Sequence, residues 1–414
     1  MNHSHASAEP SVPLTSSIPE VAFVLELGRT LQAFGVSAST LEKALGRVCL
    51  HLELEGAVFA TPTGFLASLR KEGHHSKTYL MRVDAGRSSL EKLAEAEALV
   101  DLVLDGDLDV HAAREHLALL TSRPPRFSVA LKVAAHGFCA MGMGIIFRGG
   151  WREVLLGTLV GLLVGFAVHQ AQLRPRLGRL SPLLAGLVSS LAATVLAQYF
   201  PTVSRPILVV CGIIGLLPGL GLLVSMQELG TGNLVSGTAR MAGTGLVFIL
   251  LAFGVGLGER LGTHFLTMVP SDSVALPFWL VAPAIALVAA GFLIIFQGRP
   301  ADFGWTLGAS ALAWSTARLA THALGPEAGA GIAALVLGAA CNTYARRSRR
   351  PGAVLLLPSL MLILPGSVGV RSLTLMMQGQ TLDGLSAGFQ SLSVTVALML
   401  GLLMANAMVP RRTF

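Results

Sequence analysis

Charged residues are scarce in this chain. Of its 414 residues, 13% are Asp, Glu, Lys or Arg and 53% are hydrophobic, and the mean hydropathy is +0.67. Soluble globular proteins carry about 25% charged residues. The composition therefore excludes an ordinary soluble protein and predicts a polytopic membrane protein.

Cysteine and catalytic motifs are also scarce. The four cysteines stand singly, at a spacing that fits neither a metal site nor a disulfide framework. The sequence has no Walker A motif and no G-x-S-x-G elbow, and its glycine-rich stretches GLGLL and GTGNLVSG lie in or beside apolar runs. We therefore expect no enzyme activity, no cofactor, no metal and no direct coupling to ATP.

The charges that are present divide the chain into two parts. Residues 1–126 hold 28 of the 53 charged residues with a net charge of −4, and the rest has a net charge of +11. The excess of arginine falls in membrane loops, so it predicts no nucleic-acid partner. The polar N-terminus lacks the apolar core of a signal peptide, and we expect the first part to stay in the cytoplasm.

The first part reads as a small α+β domain over 19–126, after a disordered segment over 1–18. Apolar positions recur at helical spacing in four stretches and alternate in three shorter ones. Asp109 is an expected N-cap. The helices are predicted near 19–34, 39–52, 88–104 and 109–122, and the strands near 57–62, 64–70 and 77–83.

Ten apolar runs long enough to cross a bilayer follow. They lie near 128–147, 153–172, 181–199, 206–226, 237–258, 277–297, 303–322, 328–345, 353–376 and 386–408. A break at 259–276 separates five from five, giving membrane repeats over 127–258 and 277–414. Because five is odd, two halves of one fold must enter the bilayer from opposite sides, which predicts an inverted repeat.

Arginine positions predict the orientation, and small residues predict helix contacts. With both termini inside, inner loops and tail hold ten arginines against five outside, which favours cytoplasmic termini. We expect the protein to lie in a bacterial-type inner membrane. Small residues four apart allow close helix packing. We expect such contacts at 157–165, where glycines recur at every fourth position, and at Gly304 and Gly308.

Two hydrophobic segments are interrupted in the same way. Pro218 and Gly219 break the run at Leu-Leu-Pro-Gly, and Pro365 and Gly366 break the run at Ile-Leu-Pro-Gly, 147 residues later. Proline removes a backbone donor, so each segment is predicted to be kinked or unwound. Paired breaks in two halves indicate a transport site near the bilayer midplane, while a simple proline kink is the structural alternative.

Polar residues follow both breaks. Glu228 and Asp383 are candidate proton-exchanging acids, with solvated loop acids as the alternative. Arg240 is predicted to pair with a substrate carboxylate or with Glu228, or else to anchor its helix at the interface. Asn233 and Ser236 complete the predicted transport path.

These residues resemble a known family. Leu-Leu-Pro-Gly at 216–219, Glu-Leu at 228–229, Ser-Gly at 236–237 and Ala-Arg at 239–240 are similar to the threonine/serine exporter family, as are the stretches at 28–48 and 59–69. The second half resembles the smaller module that is a separate protein in some members. The resemblance implies efflux of small amino acids such as threonine or serine, driven by the proton gradient.

The leading hypothesis is thus a secondary active transporter that exports small amino acids by proton antiport. Two alternatives stay open: a membrane-embedded hydrolase that uses the N-terminal domain, and a passive channel for small polar solutes. We also expect a homodimer in the bilayer.

Overall fold

The computed structural model describes residues 18–83, 89–200, 202–265 and 274–410. Residues 1–17 of the segment expected to be disordered (1–18), the middle of the predicted linker and the terminal arginines lie outside these ranges. The chain divides into two compact units. Within the described residues, unit 1 comprises 18–83 and 92–123, and unit 2 comprises 89–91 and 124–410.

Unit 1 combines helices with a three-stranded antiparallel sheet in the order β1-β2-β3. Its four helices and three strands lie where the sequence predicted them, within a few residues. The elements are α1 (Pro19–Ala33), α2 (Ala38–His51), β1 (Leu54–Thr61), β2 (Gly64–Lys71), β3 (Lys77–Arg82), α3 (Leu90–Leu104) and α4 (Val110–Ser122).

Buried side chains of α1, α2 and one face of the sheet form the core of unit 1. Phe23 and Phe65 are almost fully buried. Gly28 lets α1 approach the sheet, because a methyl group there would lie 2.7 Å from the Phe65 ring. Glu26 and Arg114 join α1 to α4 through two hydrogen bonds of 2.7 and 3.0 Å. The predicted N-cap is confirmed, since the Asp109 carboxylate accepts a hydrogen bond from the Ala112 amide.

Unit 2 is helical throughout its described part. Its first helix after Pro124 is α5 (Val129–Ile146), and helices of 4 to 32 residues follow along the chain. The remaining helices are α6 (Trp151–Gln172), α7 (Pro175–Gly178), α8 (Ser181–Tyr199), α9 (Arg205–Ile213), α10 (Gly219–Gly230), α11 (Leu234–Phe265), α12 (Val281–Ile295), α13 (Phe303–Leu324), α14 (Pro326–Ser348), α15 (Ala353–Leu360), α16 (Gly366–Met377) and α17 (Thr381–Met408).

Seven described helices are long and apolar enough to cross a membrane: α5, α6, α8, α11, α12 with its preceding 3-10 turn, α14 and α17. The bent pair α9–α10 makes eight. The chain is thus a multi-pass membrane protein. The ten-span count stays a prediction, because α13 is not among these helices and the run predicted at 353–376 consists of the short helices α15 and α16.

The second half of unit 2 repeats the packing pattern of the first. In the first half α5 packs on α6, α8 on α11 and α10 on α11; in the second half α12 packs on α13, α14 on α17 and α16 on α17. The two halves also contact each other reciprocally: α10 of the first half packs against α17 of the second, and α16 of the second half packs against α11 of the first. One helix, α11, continues to Phe265, into the segment predicted as linker.

Glycine-mediated packing occurs at one of the two predicted places. On α6, a methyl group at Gly161 would lie 2.6 Å from Ala140 of α5, and one at Gly157 would lie 3.1 Å from Cys211 of α9. The prediction for Gly304 and Gly308 is wrong within this chain. No described atom lies within 4 Å of a methyl group at either position, because that face of α13 is exposed.

The cysteines give a first test of the fold. All four thiols are buried, and burial raises the pKa of the Cys49 thiol to about 11. Since the thiolate is the reactive form, we expect the native protein in detergent to resist maleimide at pH 7 and to react once denatured. The matched control is Leu50→Cys, one residue along α2 at a side chain that is 79% exposed, which should label readily. Labelling of the native wild-type chain would contradict the packing described here.

Candidate functional site

Both Pro-Gly pairs break a helix in the same way. After α9, a 3-10 turn over Ile214–Leu216 leads to Pro218, and α10 starts again at Gly219 with a bend of 55°. After α15, Pro365 precedes α16. The two prolines have almost identical backbone angles, φ −82° and ψ 28° at Pro218 and φ −82° and ψ 29° at Pro365. The predicted interruptions are therefore real breaks in both segments.

The two breaks lie directly against each other. A methyl group on Gly219 would lie 3.1 Å from Leu364 Cβ and 3.6 Å from the Gly366 nitrogen. A methyl group on Gly366 would lie 3.0 Å from Leu217 Cβ and 3.6 Å from the Gly219 nitrogen. The contact is reciprocal and nearly symmetric. It depends on both residues lacking a side chain.

The contact brings together the N-termini of α10 and α16, each 12 residues long. The first intrahelical bonds are donated by Leu222 to Pro218 and by Gly369 to Pro365. The three amides before each donor have no acceptor inside their own helix. A helix N-terminus carries partial positive charge, so two of them side by side favour a negatively charged group such as a carboxylate.

A cavity of about 100 Å³ adjoins the paired breaks. Gly219, Gly366 and Ser367 form part of its wall. This volume is several times what one water molecule needs, so the cavity can hold a small solute or a few waters. The rest of the lining is apolar: Met143, Ile146, Phe147, Ile214, Leu217, Met361, Leu362, Ile363 and Leu364.

The sequence missed the cavity wall contributed by α5. Met143, Ile146 and Phe147 lie in an apolar run whose pattern does not distinguish a cavity-facing side from a lipid-facing one. Ser367 was closer to detection, since it directly follows Pro365-Gly366. A polar residue next to a break was the available signal.

A second cluster lies at the other end of α10. Glu228 is buried in the last turn of α10, with 1% of its side chain exposed, and Arg240 of α11 is 25% exposed. The guanidinium donates from Nε to one carboxylate oxygen at 3.0 Å and from Nη2 to the other at 3.2 Å. Of the partners predicted for Arg240, the structure shows Glu228. Glu228 follows Gly219 by nine positions of the helix, which is about 14 Å along the axis.

Asn233 and Ser236 belong to the same corner. The Asn233 amide donates to the Glu228 carbonyl at 2.8 Å, and the Asn233 carbonyl accepts from Gly237, so this residue orders the turn between α10 and α11. Ser236 is 2% exposed. Its hydroxyl has no hydrogen-bond partner among the described residues.

The nine predicted site residues therefore fall into two places, with one left over. Pro218, Gly219, Pro365 and Gly366 meet at the cavity, and Glu228, Asn233, Ser236 and Arg240 share the α10–α11 corner. Asp383 joins neither cluster. It is exposed in the first turn of α17, where a carboxylate favours the helix N-terminus.

Family comparison agrees with this architecture. A threonine/serine exporter family model matches residues 22–262, and a second threonine/serine exporter model matches residues 281–408. This chain belongs to the threonine/serine exporter family. The first match includes both unit 1 and the Pro218 break, and the second includes the Pro365 break.

Several curated proteins are similar to this family member. It is 28% identical over 324 residues to the threonine/serine exporter of Corynebacterium glutamicum, covering 75% of this chain and 64% of that protein. It is 24% identical to an uncharacterized protein of Schizosaccharomyces pombe, covering 87% and 49%. It is 22% identical to pheromone-regulated membrane protein 10 of Pichia sorbitophila, covering 87% and 38%. The chain thus spans less than two thirds of each relative, and no solved structure matches it.

The close contact between the two breaks predicts that larger side chains at Gly219 or Gly366 destabilise the protein. Gly219→Val and Gly366→Val each insert atoms where a single methyl group is already within about 3 Å of a leucine Cβ. Overpacking of this kind costs about 1–3 kcal/mol, so both variants should unfold at a lower temperature in detergent, followed by tryptophan fluorescence. Gly243→Val on α11 is the control, since no described atom lies within 4 Å of its added carbon. Equal melting of all three variants would argue against the close contact.

The Glu228–Arg240 ion pair predicts a coupling between the two side chains that a double-mutant cycle can measure. Arg240→Met leaves the buried Glu228 carboxylate without its guanidinium partner, which costs about 3–5 kcal/mol. Glu228→Gln combined with Arg240→Met removes both charges and should recover most of that loss, because a neutral pair needs no compensation. Thermal unfolding of the single and double variants measures the coupling. Additive effects would show that the two side chains do not interact.

Proposed function

We propose that this chain exports small amino acids, of the threonine or serine kind, by proton antiport. The observation that carries the proposal is the pair of half-helix N-termini beside a small cavity. In transporters with discontinuous helices, such termini bind the anionic group of the substrate near the bilayer midplane. An amino-acid carboxylate at the amides that begin α10 and α16 would satisfy donors that otherwise need water.

The size and polarity of the cavity favour a small substrate. About 100 Å³ of space with an apolar wall suits a short side chain better than a large or charged one. The hydroxyl of Ser367 adds one polar group near the helix termini. The name of the Corynebacterium glutamicum relative supports threonine and serine as the first substrates to test.

We propose an inverted repeat of five and five spans as the transport architecture. The support is the repeated helix packing, the reciprocal contact of the two breaks and their matching backbone angles. Two halves of opposite orientation can rock around a fixed central site, which is the usual basis of alternating access. In this proposal α13 and the pair α15–α16 supply the two spans that apolarity alone does not reveal.

The proposed location is a bacterial-type inner membrane with both termini in the cytoplasm. The excess of arginine in the loops that would face inward supports this orientation. The α10–α11 corner, with Glu228 and Arg240, then faces the cytoplasm. An exporter loads its substrate from that side. Neither the hydrolase nor the passive-channel alternative gains a supporting contact from the described residues.

The test is transport by the purified full chain in liposomes. Radiolabelled threonine should accumulate inside liposomes whose lumen is more acidic than the medium, because proton efflux drives threonine uptake by antiport, and a protonophore should abolish the accumulation. Protein-free liposomes are the control. Threonine flux that is equal with and without the pH gradient would indicate a channel. Absence of threonine and serine flux under every gradient would refute the substrate assignment.

A further inference from the structure

The Glu228–Arg240 pair is present in only one of two matching corners. At a spacing of 147 residues, Gly232 corresponds to Gly379, and both have φ of +85°. Gly237 corresponds to Gly384, and each glycine packs on the matching side chain, Leu229 in one half and Met376 in the other. The two helical corners are thus built alike.

The charged residues have no counterparts in the second corner. Leu375 stands at the position of Glu228, and Ala387 at that of Arg240. The second corner therefore forms without an ion pair. Burying such a pair rarely adds stability, since desolvation offsets the attraction between the charges. The fold does not require Glu228 and Arg240, and their presence in one corner needs a reason other than packing.

A buried hydroxyl accompanies the pair. Ser236 precedes Arg240 by four residues, so the two side chains lie on one face of α11. Ser236 is 2% exposed and its hydroxyl has no hydrogen-bond partner among the described residues, although leaving a buried hydroxyl without a hydrogen bond is destabilising. A helical serine usually donates back to the preceding turn. Ser236 thus keeps hydrogen-bonding capacity beside the ion pair.

We propose that Glu228, Arg240 and Ser236 form a loading site for zwitterionic hydroxy amino acids, separate from the central cavity. The substrate carboxylate binds Arg240, the substrate ammonium binds Glu228, and the substrate hydroxyl bonds to Ser236. One internal ion pair is replaced by two, and the site stays electrically neutral. The inference rests on the proposed export function and names how the substrate is selected.

Neutrality determines which molecules the site accepts. A hydroxy acid without an ammonium group would pair with Arg240 and draw the guanidinium away from the buried Glu228 carboxylate without replacing its positive charge. Valine has the shape of threonine with a methyl group in place of the hydroxyl. It would leave Ser236 unpartnered. The site therefore ranks threonine above valine, and valine above 3-hydroxybutyrate.

The experiment measures this ranking in proteoliposomes with an imposed pH gradient. The readouts are KM and kcat for threonine, and the inhibition constants of valine and 3-hydroxybutyrate. Ser236→Ala should raise the threonine KM about five- to tenfold and leave valine inhibition unchanged, because only threonine loses a hydrogen bond. Ser225→Ala is the matched control, a buried serine whose hydroxyl already donates to the Leu222 carbonyl at 2.7 Å. It should leave the ratio of threonine to valine affinity at the wild-type value.

The neutral double variant Glu228→Gln with Arg240→Met separates binding from folding. It should unfold near the wild-type temperature yet raise the threonine KM more than tenfold. If the wild-type chain exports threonine, either of two results would overturn the loading site and leave the export function standing. One is an unchanged ratio of threonine to valine affinity in Ser236→Ala, and the other is an unchanged threonine KM in the double variant. Absence of threonine and serine transport by the wild-type chain would instead refute the export function itself.

Discussion

The contact between the Gly219 and Gly366 backbones determines the centre of this membrane unit. Each glycine begins a half-helix, and each would collide with the other break if it carried a larger side chain. Backbone groups that lack partners cost several kcal/mol in a bilayer, so broken helices persist only where protein or a wet cavity surrounds them. Pairing the two breaks places both sets of amides beside one small cavity. The bend between α9 and α10 and the repeated helix packing are consistent with this central contact.

Symmetry in the backbone contrasts with asymmetry in the charges. The breaks share their torsion angles and their glycine contacts, and the corners that follow them share a left-handed glycine. Only the α10–α11 corner holds the Glu228–Arg240 pair. The buried ion pair gives this corner a chemistry that the other corner, with its exposed Asp383, lacks, and in the proposed loading site this difference restricts substrate loading to one of the two corners.

Sequence patterns predicted the features that depend on local chemistry. Repeated Pro-Gly pairs predicted the breaks, since proline removes a donor wherever it stands in a helix. Alternation and helical spacing located the elements of unit 1, and proximity in the chain made Glu228 a candidate partner for Arg240. The family resemblance is confirmed by the two matching family models.

Features that depend on which helix face turns inward were beyond those patterns. Lipid and protein interior are equally apolar, so hydropathy does not separate a cavity wall such as Met143 from a lipid contact. The same ambiguity made Gly304 and Gly308 resemble a packing seam, although their face of α13 is exposed. The exposure of Asp383 was hidden for a related reason. Its sequence position mirrors that of Ser236, but one side chain of the matching pair is buried and the other is not.

The neutrality of the proposed loading site has a consequence for energy coupling. A zwitterion bound between Arg240 and Glu228 carries no net charge, so its passage alone moves no charge across the membrane. In a one-for-one exchange, the inward proton is then the only net charge that crosses. Each elementary charge gains about 2.3 kcal/mol per 100 mV of membrane potential. An exporter built on a neutral site therefore draws on the electrical potential as well as on the pH difference, whereas an exporter of a cation would lose that electrical contribution, because the outward charge of its substrate would cancel the inward charge of the proton.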